Sequence, residues 1–385
     1  MPVAAVRRAG VLGLVLLAAG GVELAAAQGT LPAAVDLRPD PTFRADPALE
    51  LSFVRALRIL PSGDLLLIDF NTPGILRLDP TGKALAPLAR GGEGPGEVVQ
   101  AIGLGGMGDT LWVMDPRQNR ISYFSRELKF LRSEVASERC GFGAASLVAD
   151  GRCLLFVTAA GGMGPLAPGP MPLVLRRRGH AGGAWVEDTV STSLRERYML
   201  KFNFGDGAIH LTQVFSDQPL FALSPDGRRL AVVTRGVEPE PRPPAFTVDL
   251  HDLARGTVRR SRHPFEPHAL PRAAVDSAVD RLTQNQKDLP WLRDSVRTRL
   301  FRPALRPPVS AALLDDDGRL WLAEAPAAGD TMVTWRVLSV AGHARLRVRL
   351  PARVRVLAAR GEQLYGVYAD EDEVPVLVRY LVPAR

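Results

Sequence analysis

The residue types best suited to chemistry are few and dispersed in this chain. Its six histidines, His180, His210, His251, His263, His268 and His343, include no pair at the i, i+2 or i, i+4 spacing that builds a metal site from one strand or helix. A zinc-dependent lyase or protease would have to gather its ligands from distant segments. No Gly-x-Ser-x-Gly elbow is present, and Ser224-Pro225-Asp226-Gly227 reads as a turn, not as a nucleophile's setting. The run Asp315-Asp316-Asp317-Gly318 lacks the ligand spacing of a calcium loop; its Asp-Gly is a hairpin signal and the run is expected to be solvated. The glycine-rich stretch Gly91 to Gly96 has freed amides of the kind that wrap a phosphate. However, no Gly-Lys-Ser/Thr follows, and Val98 leads into a strand instead of a helix, so it reads as a turn between units. No cofactor is implied.

Composition narrows the class. With 385 residues, 46% hydrophobic and 23% charged, the chain is an ordinary globular protein, which excludes disorder and collagen. The net charge of +7 does not point to nucleic acid: 44 of the 48 basic residues are Arg, spread along the chain and interleaved with acids. The one dense run, Arg176-Arg177-Arg178, reads as a solvated turn.

Residues 1–27 read as a secretory leader. Arg7 and Arg8 precede an apolar stretch from Gly10 to Val22, and Ala25-Ala26-Ala27 offers small residues for cleavage before Gln28. The alternative is an uncleaved anchor, for which this stretch, closed by Glu23, is short. No Cys follows it to carry a lipid, and no later segment is long and apolar enough to cross a bilayer. Export puts the protein in the periplasm or outside the cell, where the only two cysteines, Cys140 and Cys153, can form a disulfide across neighbouring strands; the alternative is two buried free thiols.

The elements that would position any site come from internal repetition. A glycine-containing turn followed by leucine and an apolar run occurs six times, at Gly63, Gly108, Gly151, Gly227, Gly318 and Gly361, with Leu65, Leu111, Leu154, Leu230, Leu320 and Leu364 in one column. A four-residue apolar run bounded by turns is what a strand buried on both faces requires. A second, alternating strand follows each time, as at Ile75 to Leu78 and Phe246 to Leu250. Units therefore start near 51, 98, 144, 218, 308 and 353, and three of the five glycine intervals match a four-stranded blade of about 40 to 50 residues. The expected fold is all-β, a six-bladed β-propeller. The last unit ends after its third strand, so a segment within residues 31–48 is expected to supply the fourth and staple the ring.

The stretch from Arg90 to Phe124 resembles the NHL-type repeat and the six-bladed propellers of bacterial cell-envelope proteins. Gly91-Gly92-Glu93-Gly94-Pro95-Gly96-Glu97 and Asp115 with Asn119-Arg120-Ile121 carry the likeness. It departs at Val98 and Val99, where that family has an aromatic residue and then a proline. The resemblance implies the fold and little of function, since such propellers serve as binding modules, lyases and hydrolases.

Repeats place equivalent positions on one face, so Asp69, Asn71, Asp115, Asn119 and Glu324 could form a ligand-binding ring on one end of the propeller. Alternatively they cap turns through side-chain to backbone hydrogen bonds. The largest insertion, about 270–302, has a helical period in Val275, Val279 and Leu282, then Trp291, Val296 and Leu300. It either builds a binding surface or seals blade edges. Two functions are expected from this architecture. One is an exported, non-catalytic module that binds an envelope or extracellular protein, a small molecule or a glycan through an end face. The other is a propeller enzyme, a lyase or hydrolase, acting on a glycan or peptide at the axial channel.

Overall fold

The computed structural model describes residues 23–26, 31–141, 145–157, 169–179, 183–205, 207–236, 244–286, 288–327 and 329–384; the basic and apolar parts of the expected leader and His180 lie outside them. Two short strands come first, β1 (Glu23–Ala26) and β2 (Ala34–Asp36). Blade 1 is β3 (Val54–Ile59), β4 (Leu65–Asp69), β5 (Ile75–Leu78) and β6 (Ala84–Ala89). Blade 2 is β7 (Gly103–Met107), β8 (Thr110–Asp115), β9 (Arg120–Phe124) and β10 (Phe130–Val135), followed by the short helix α1 (Ala136–Cys140). Blade 3 is β11 (Ala145–Leu147), β12 (Cys153–Phe156), β13 (Pro170–Arg178) and β14 (Trp185–Leu194), after which β15 (Met199–Phe204) and β16 (Gly207–Thr212) form a separate hairpin. Blade 4 is β17 (Leu220–Leu223), β18 (Arg229–Thr234), β19 (Ala245–Asp252) and β20 (Thr257–Pro264), and two helices follow it, α2 (Arg272–Thr283) and α3 (Pro290–Arg299). Blade 5 is β21 (Val309–Leu314), β22 (Leu320–Glu324), β23 (Met332–Leu338) and β24 (Ala344–Pro351); blade 6 has three strands, β25 (Arg355–Arg360), β26 (Gln363–Ala369) and β27 (Pro375–Leu381). Each blade is an antiparallel meander, and the six make a propeller.

Side-chain alternation shows how the ring closes. All five residues of β4 are buried. Leu65 and Leu67 pack with Tyr365 and Leu377 of blade 6, whereas Leu66 and Ile68 pack with Leu111 and Val113 of blade 2. A strand with apolar neighbours on both faces cannot alternate with polar residues, which is why the sequence shows unbroken runs. The same division recurs between blades 2 and 3, 3 and 4, 4 and 5, and 5 and 6, giving six interfaces for six blades. A ring of six with six apolar interfaces has no open side.

Blade 3 departs from the leucine column read in the sequence. Val148 N donates to Arg152 O and Cys153 is the first paired residue of β12, the position that Leu65, Leu230 and Leu320 hold in their blades. Leu154 therefore faces blade 4, while Cys153 faces blade 2, because a slip of one residue reverses every side chain. Cys153 and Cys140 form a disulfide. Cys140 ends α1 and is not on a neighbouring strand, so the bond ties the end of blade 2 to blade 3 where other blades use leucine packing.

The segment expected to complete the last blade does less there and more elsewhere. β2 adds to the outer edge of blade 5, with Val35 beside Val348. The chain then meets β27 through one bridge, Pro39 with Tyr380, and one hydrogen bond, Asp40 N to Arg379 O at 2.8 Å. Pro39 and Pro41 have no N–H to donate, so a full ladder cannot form. Beyond them Arg44 N donates to Thr81 O and Asp46 N to Gly82 O, both in blade 1. Residues 34–46 are thus a strap over blades 5, 6 and 1. Its clasp is Asp40, buried with Arg379 at 2.8 Å, while Arg379 also donates to Pro80 O of blade 1 at 2.6 Å.

β1 pairs in parallel with β20 on the outer edge of blade 4. The run Arg176-Arg177-Arg178 ends strand β13 instead of forming a solvated turn: Arg176 is buried, pairs with Glu187 and donates to Cys140 O at 3.1 Å.

Candidate functional site

The connections from the outer strand of one blade to the inner strand of the next all leave on one end of the ring, because each blade has the same up-and-down order. That end carries α1, the β15–β16 hairpin and the α2–α3 pair. The hairpin and the two helices share a core of their own: Leu200 and Phe202 meet Val275, Val279, Leu292 and Val296. They form a cap. Pro290 starts α3 and places Leu292 and Val296 inward at i, i+4, which leaves Trp291 39% exposed, not in the core as the sequence period suggested.

The polar residues singled out in the sequence lie on this same end, but the structure does not bring them together. Asp69 ends β4, and its carboxylate accepts from Ser52 N at 3.0 Å, Phe53 N at 2.8 Å, Ser52 Oγ at 2.7 Å and Thr72 Oγ1 at 3.0 Å. Asp115 repeats the arrangement in blade 2, accepting from the amides of Val99 (2.7 Å), Gln100 (3.1 Å), Arg117 (3.0 Å) and Gln118 (3.2 Å). Each one fastens the start of its inner strand to the turn after its second strand. Asn119, at a φ of 50°, holds α1 by accepting from Ser137 N and donating to Ser137 Oγ, both at 2.8 Å. Glu324 accepts from Arg336 and Arg347, each at 2.9 Å. Asn71 is exposed in the turn after β4. Four of the five side chains are thus occupied by their own protein.

The aspartate run at blade 5 is solvated only in part: Asp317 is exposed and Asp316 half-buried. Asp315 is fully buried and accepts from Arg319 Nε at 2.6 Å and Trp321 Nε1 at 2.8 Å; burial raises its pKa above the usual carboxylate range. Asp316 faces Arg58 and Arg360 at the end of the axis away from the cap. There Arg58 of blade 1 donates to Pro225 O of blade 4, and Gly106 N of blade 2 donates to the same oxygen at 2.8 Å. Blades 1 and 4 are opposite each other in a ring of six, so the arginine reaches across that mouth of the axis.

Several cavities of ligand size, about 410 to 510 Å³, open among the described residues, and two of them bear on function. One, about 510 Å³, lies between blades 1 and 2 beside Arg58; its other arginines, Arg77 and Arg126, are neutralised by Asp64 and Asp109. The other, about 500 Å³, lies between the cap and blades 4 and 5. Ala273, Ser277 and Arg281 reach it from one stripe of α2, the stripe opposite the one that packs into the cap core. Arg235 comes from the end of β18, and Arg306 and Ser310 from the start of blade 5. Phe215, Val309 and Pro307 supply apolar walls, and among the described residues no acid, histidine or cysteine lines it. Sequence reasoning missed this site because its residues belong to no repeat column and come from five separate stretches of the chain.

The hydroxyl–imidazole contact between Ser261 Oγ and His263 Nε2, 2.9 Å, is buried on β20 and lines neither of these two cavities. Burial, with Arg336 and His343 nearby, pushes His263 down to about 4. Among the described residues no group of three potential metal ligands converges, and no helix is long and apolar enough to cross a membrane.

No family model matches the chain, and no curated protein matches it. The NHL-type likeness therefore stays a local resemblance. Among solved structures, a Bacteroides fragilis protein provisionally named as exported is similar at 10% identity and a TM-score of 0.49, covering 94% of this chain and 100% of that one. A member of the DUF4221 family from Bacteroides vulgatus is similar at 9% identity and a TM-score of 0.46, covering 91% and 99%. Virginiamycin B lyase from Staphylococcus aureus is similar at 10% identity and a TM-score of 0.38, covering 86% and 95%. Likeness at this level carries nothing about activity, and the propeller rests on the chain's own strand order.

Proposed function

We propose that this protein is an exported, non-catalytic binding module that takes a small ligand on its capped end, in the cleft between α2 and blades 4 and 5. Export rests on the leader pattern of residues 1–27. The observation that carries the binding role is the cleft itself: about 500 Å³, within the range of small-molecule sites, apolar on its walls, with a few convergent polar groups. Three insertions on one end, two of them sharing a core, are an expensive addition to a ring whose own interfaces are complete without them. The lining offers arginine and serine, which bind and orient, and no general base among the described residues. An axial enzyme site finds less support, since Arg58 reaches across one mouth of the axis.

Ser277→Trp, on the open stripe of α2, fills the cleft without touching the cap core. A small-molecule screen by thermal shift should return ligands whose stabilisation disappears in that variant. Hits that stabilise the variant as well as the parent would place binding elsewhere and defeat the proposal.

A further inference from the structure

The cleft holds a charge imbalance. Arg235 is 6% exposed and donates from Nε to Gln218 O and from Nη1 to Val309 O, both at 2.8 Å. Those carbonyls satisfy N–H groups but bring no negative charge. Asp217, the acid that acts on it, is already held by Arg197 at 2.9 Å, and burial pushes Arg235 down to about 10. The other fully buried guanidiniums each have a carboxylate: Arg379 has Asp40, Arg336 has Glu324 and Arg176 has Glu187. Arg306 donates to Pro326 O, and Arg281 has no ion pair among the described residues. A buried cation without its counter-charge is costly, and three arginines lining one cavity with no acid among its described lining residues are what a bound anion would complete.

Building on the end-face reading above, we infer that the cleft binds a small organic anion: its carboxylate or phosphate sits against Arg235, Arg281 and Arg306, and its apolar body against Phe215 and Val309. The planar fork of arginine accepts either oxyanion in two-point contact. The walls select an organic molecule over a bare ion.

The probes are benzoate, phenyl phosphate and the neutral benzamide, titrated by calorimetry and by thermal shift into the full chain as purified. Benzoate or phenyl phosphate should bind and raise the melting temperature, and the stronger of the two assigns the headgroup. Benzamide should bind at least about tenfold more weakly. Arg281→Glu, at an exposed helix position, should weaken the anion about tenfold or more. Arg235→Met should abolish anion binding and leave the ligand-free protein as stable as before or more so, because it removes an uncompensated buried charge. Equal binding of benzamide, no binding of either anion at millimolar concentration, or anion binding untouched by Arg281→Glu overturns the inference. Should Ser277→Trp leave the binding of every probe unchanged, the end-face reading fails with it. A neutral probe that binds and is displaced by that substitution would spare the reading and sink only the anion.

Discussion

Asp40→Ala tests whether the strap closes the ring. The carboxylate accepts from Arg379 Nε at 2.9 Å and Nη2 at 2.8 Å, and from the amide and hydroxyl of Thr42 at 2.9 and 2.7 Å. Its removal leaves Arg379 buried with Pro80 O and Thr42 Oγ1 but without its carboxylate. Removing one partner of a buried pair costs roughly 3–5 kcal/mol. An unfolding entropy of about 2.1 cal/mol/K per residue over roughly 350 residues amounts to ~0.7 kcal/mol per degree, so a loss of about 4 kcal/mol should lower Tm by ~5–6 °C. Calorimetry on Asp40→Ala, Arg379→Met and the double variant makes the test specific. The double variant removes both charges, so it should be less destabilised than the sum by about 1–3 kcal/mol. The acid limb adds a second check: the hydrogen bonds from Thr42, and then Arg379, hold Asp40 below the ordinary carboxylate range. Its stabilisation is present above the unfolded pKa of about 4 and is lost as pH falls through the lower folded value. A Tm within about 1 °C of the parent, or additive single effects, would refute the clasp.

Alkylation of denatured, unreduced protein should label no thiols, and Cys140→Ser with Cys153→Ser should cost about 3 kcal/mol by the chain-entropy account of a short loop. Truncation of the strap to residue 50 should lower Tm more than Asp40→Ala does, because it also removes β2 from blade 5 and the bonds to Thr81 and Gly82 in blade 1. Asp115→Ala frees four amides at once and should destabilise by roughly 2–4 kcal/mol in urea melts; a change under about 0.5 kcal/mol would argue that the residue is not a structural fastener. His263 is held neutral in the fold, so the unfolded chain binds the extra proton: stability should be whole above about 6.5 and decline as pH falls towards about 4, a slope that His263→Gln should remove. Excising α2 and α3 alone should expose Leu200 and Phe202 and cause aggregation, whereas removing 195–218 as well should leave a folded ring.

The ring was legible because its physics repeats. A strand buried on both faces needs an unbroken apolar run, a meander needs a turn at a fixed distance, and six copies make a weak signal additive. The misreading at blade 3 shows the limit of that logic. Gly151 is followed by Cys153 at the spacing that separates Gly63 from Leu65 and Gly318 from Leu320, but a leucine one residue later matched the spacing of Leu111, Leu230 and Leu364. Turn length differs between blades by one residue, and residue type alone does not say which spacing applies. The cysteine took the leucine's place because a covalent bond to Cys140 does what packing does elsewhere. The strap was placed in the right segment, yet its path over three blades depended on where Pro39 and Pro41 fall relative to the edge of β27, which no pattern along the chain records.

The cleft was illegible for a complementary reason. Repetition reveals what blades share, and two of the shared polar positions are fasteners: Asp69 and Asp115 in successive blades each accept from two amides before the inner strand and from donors in the turn after the second. A binding residue has the opposite signature, since it belongs to one blade and is excess to folding. Arg235, Arg281 and Arg306 stand 46 and 25 positions apart in sequence, in a chain where 44 arginines make one more unremarked. Only their convergence on one cavity, with carboxylates at Asp217, Glu324 and Asp276 each committed to another arginine, separates them from the rest. In a repeat protein rich in paired charges, the unpaired ones are therefore the more informative, and they can be recognised only after every other pairing has been assigned.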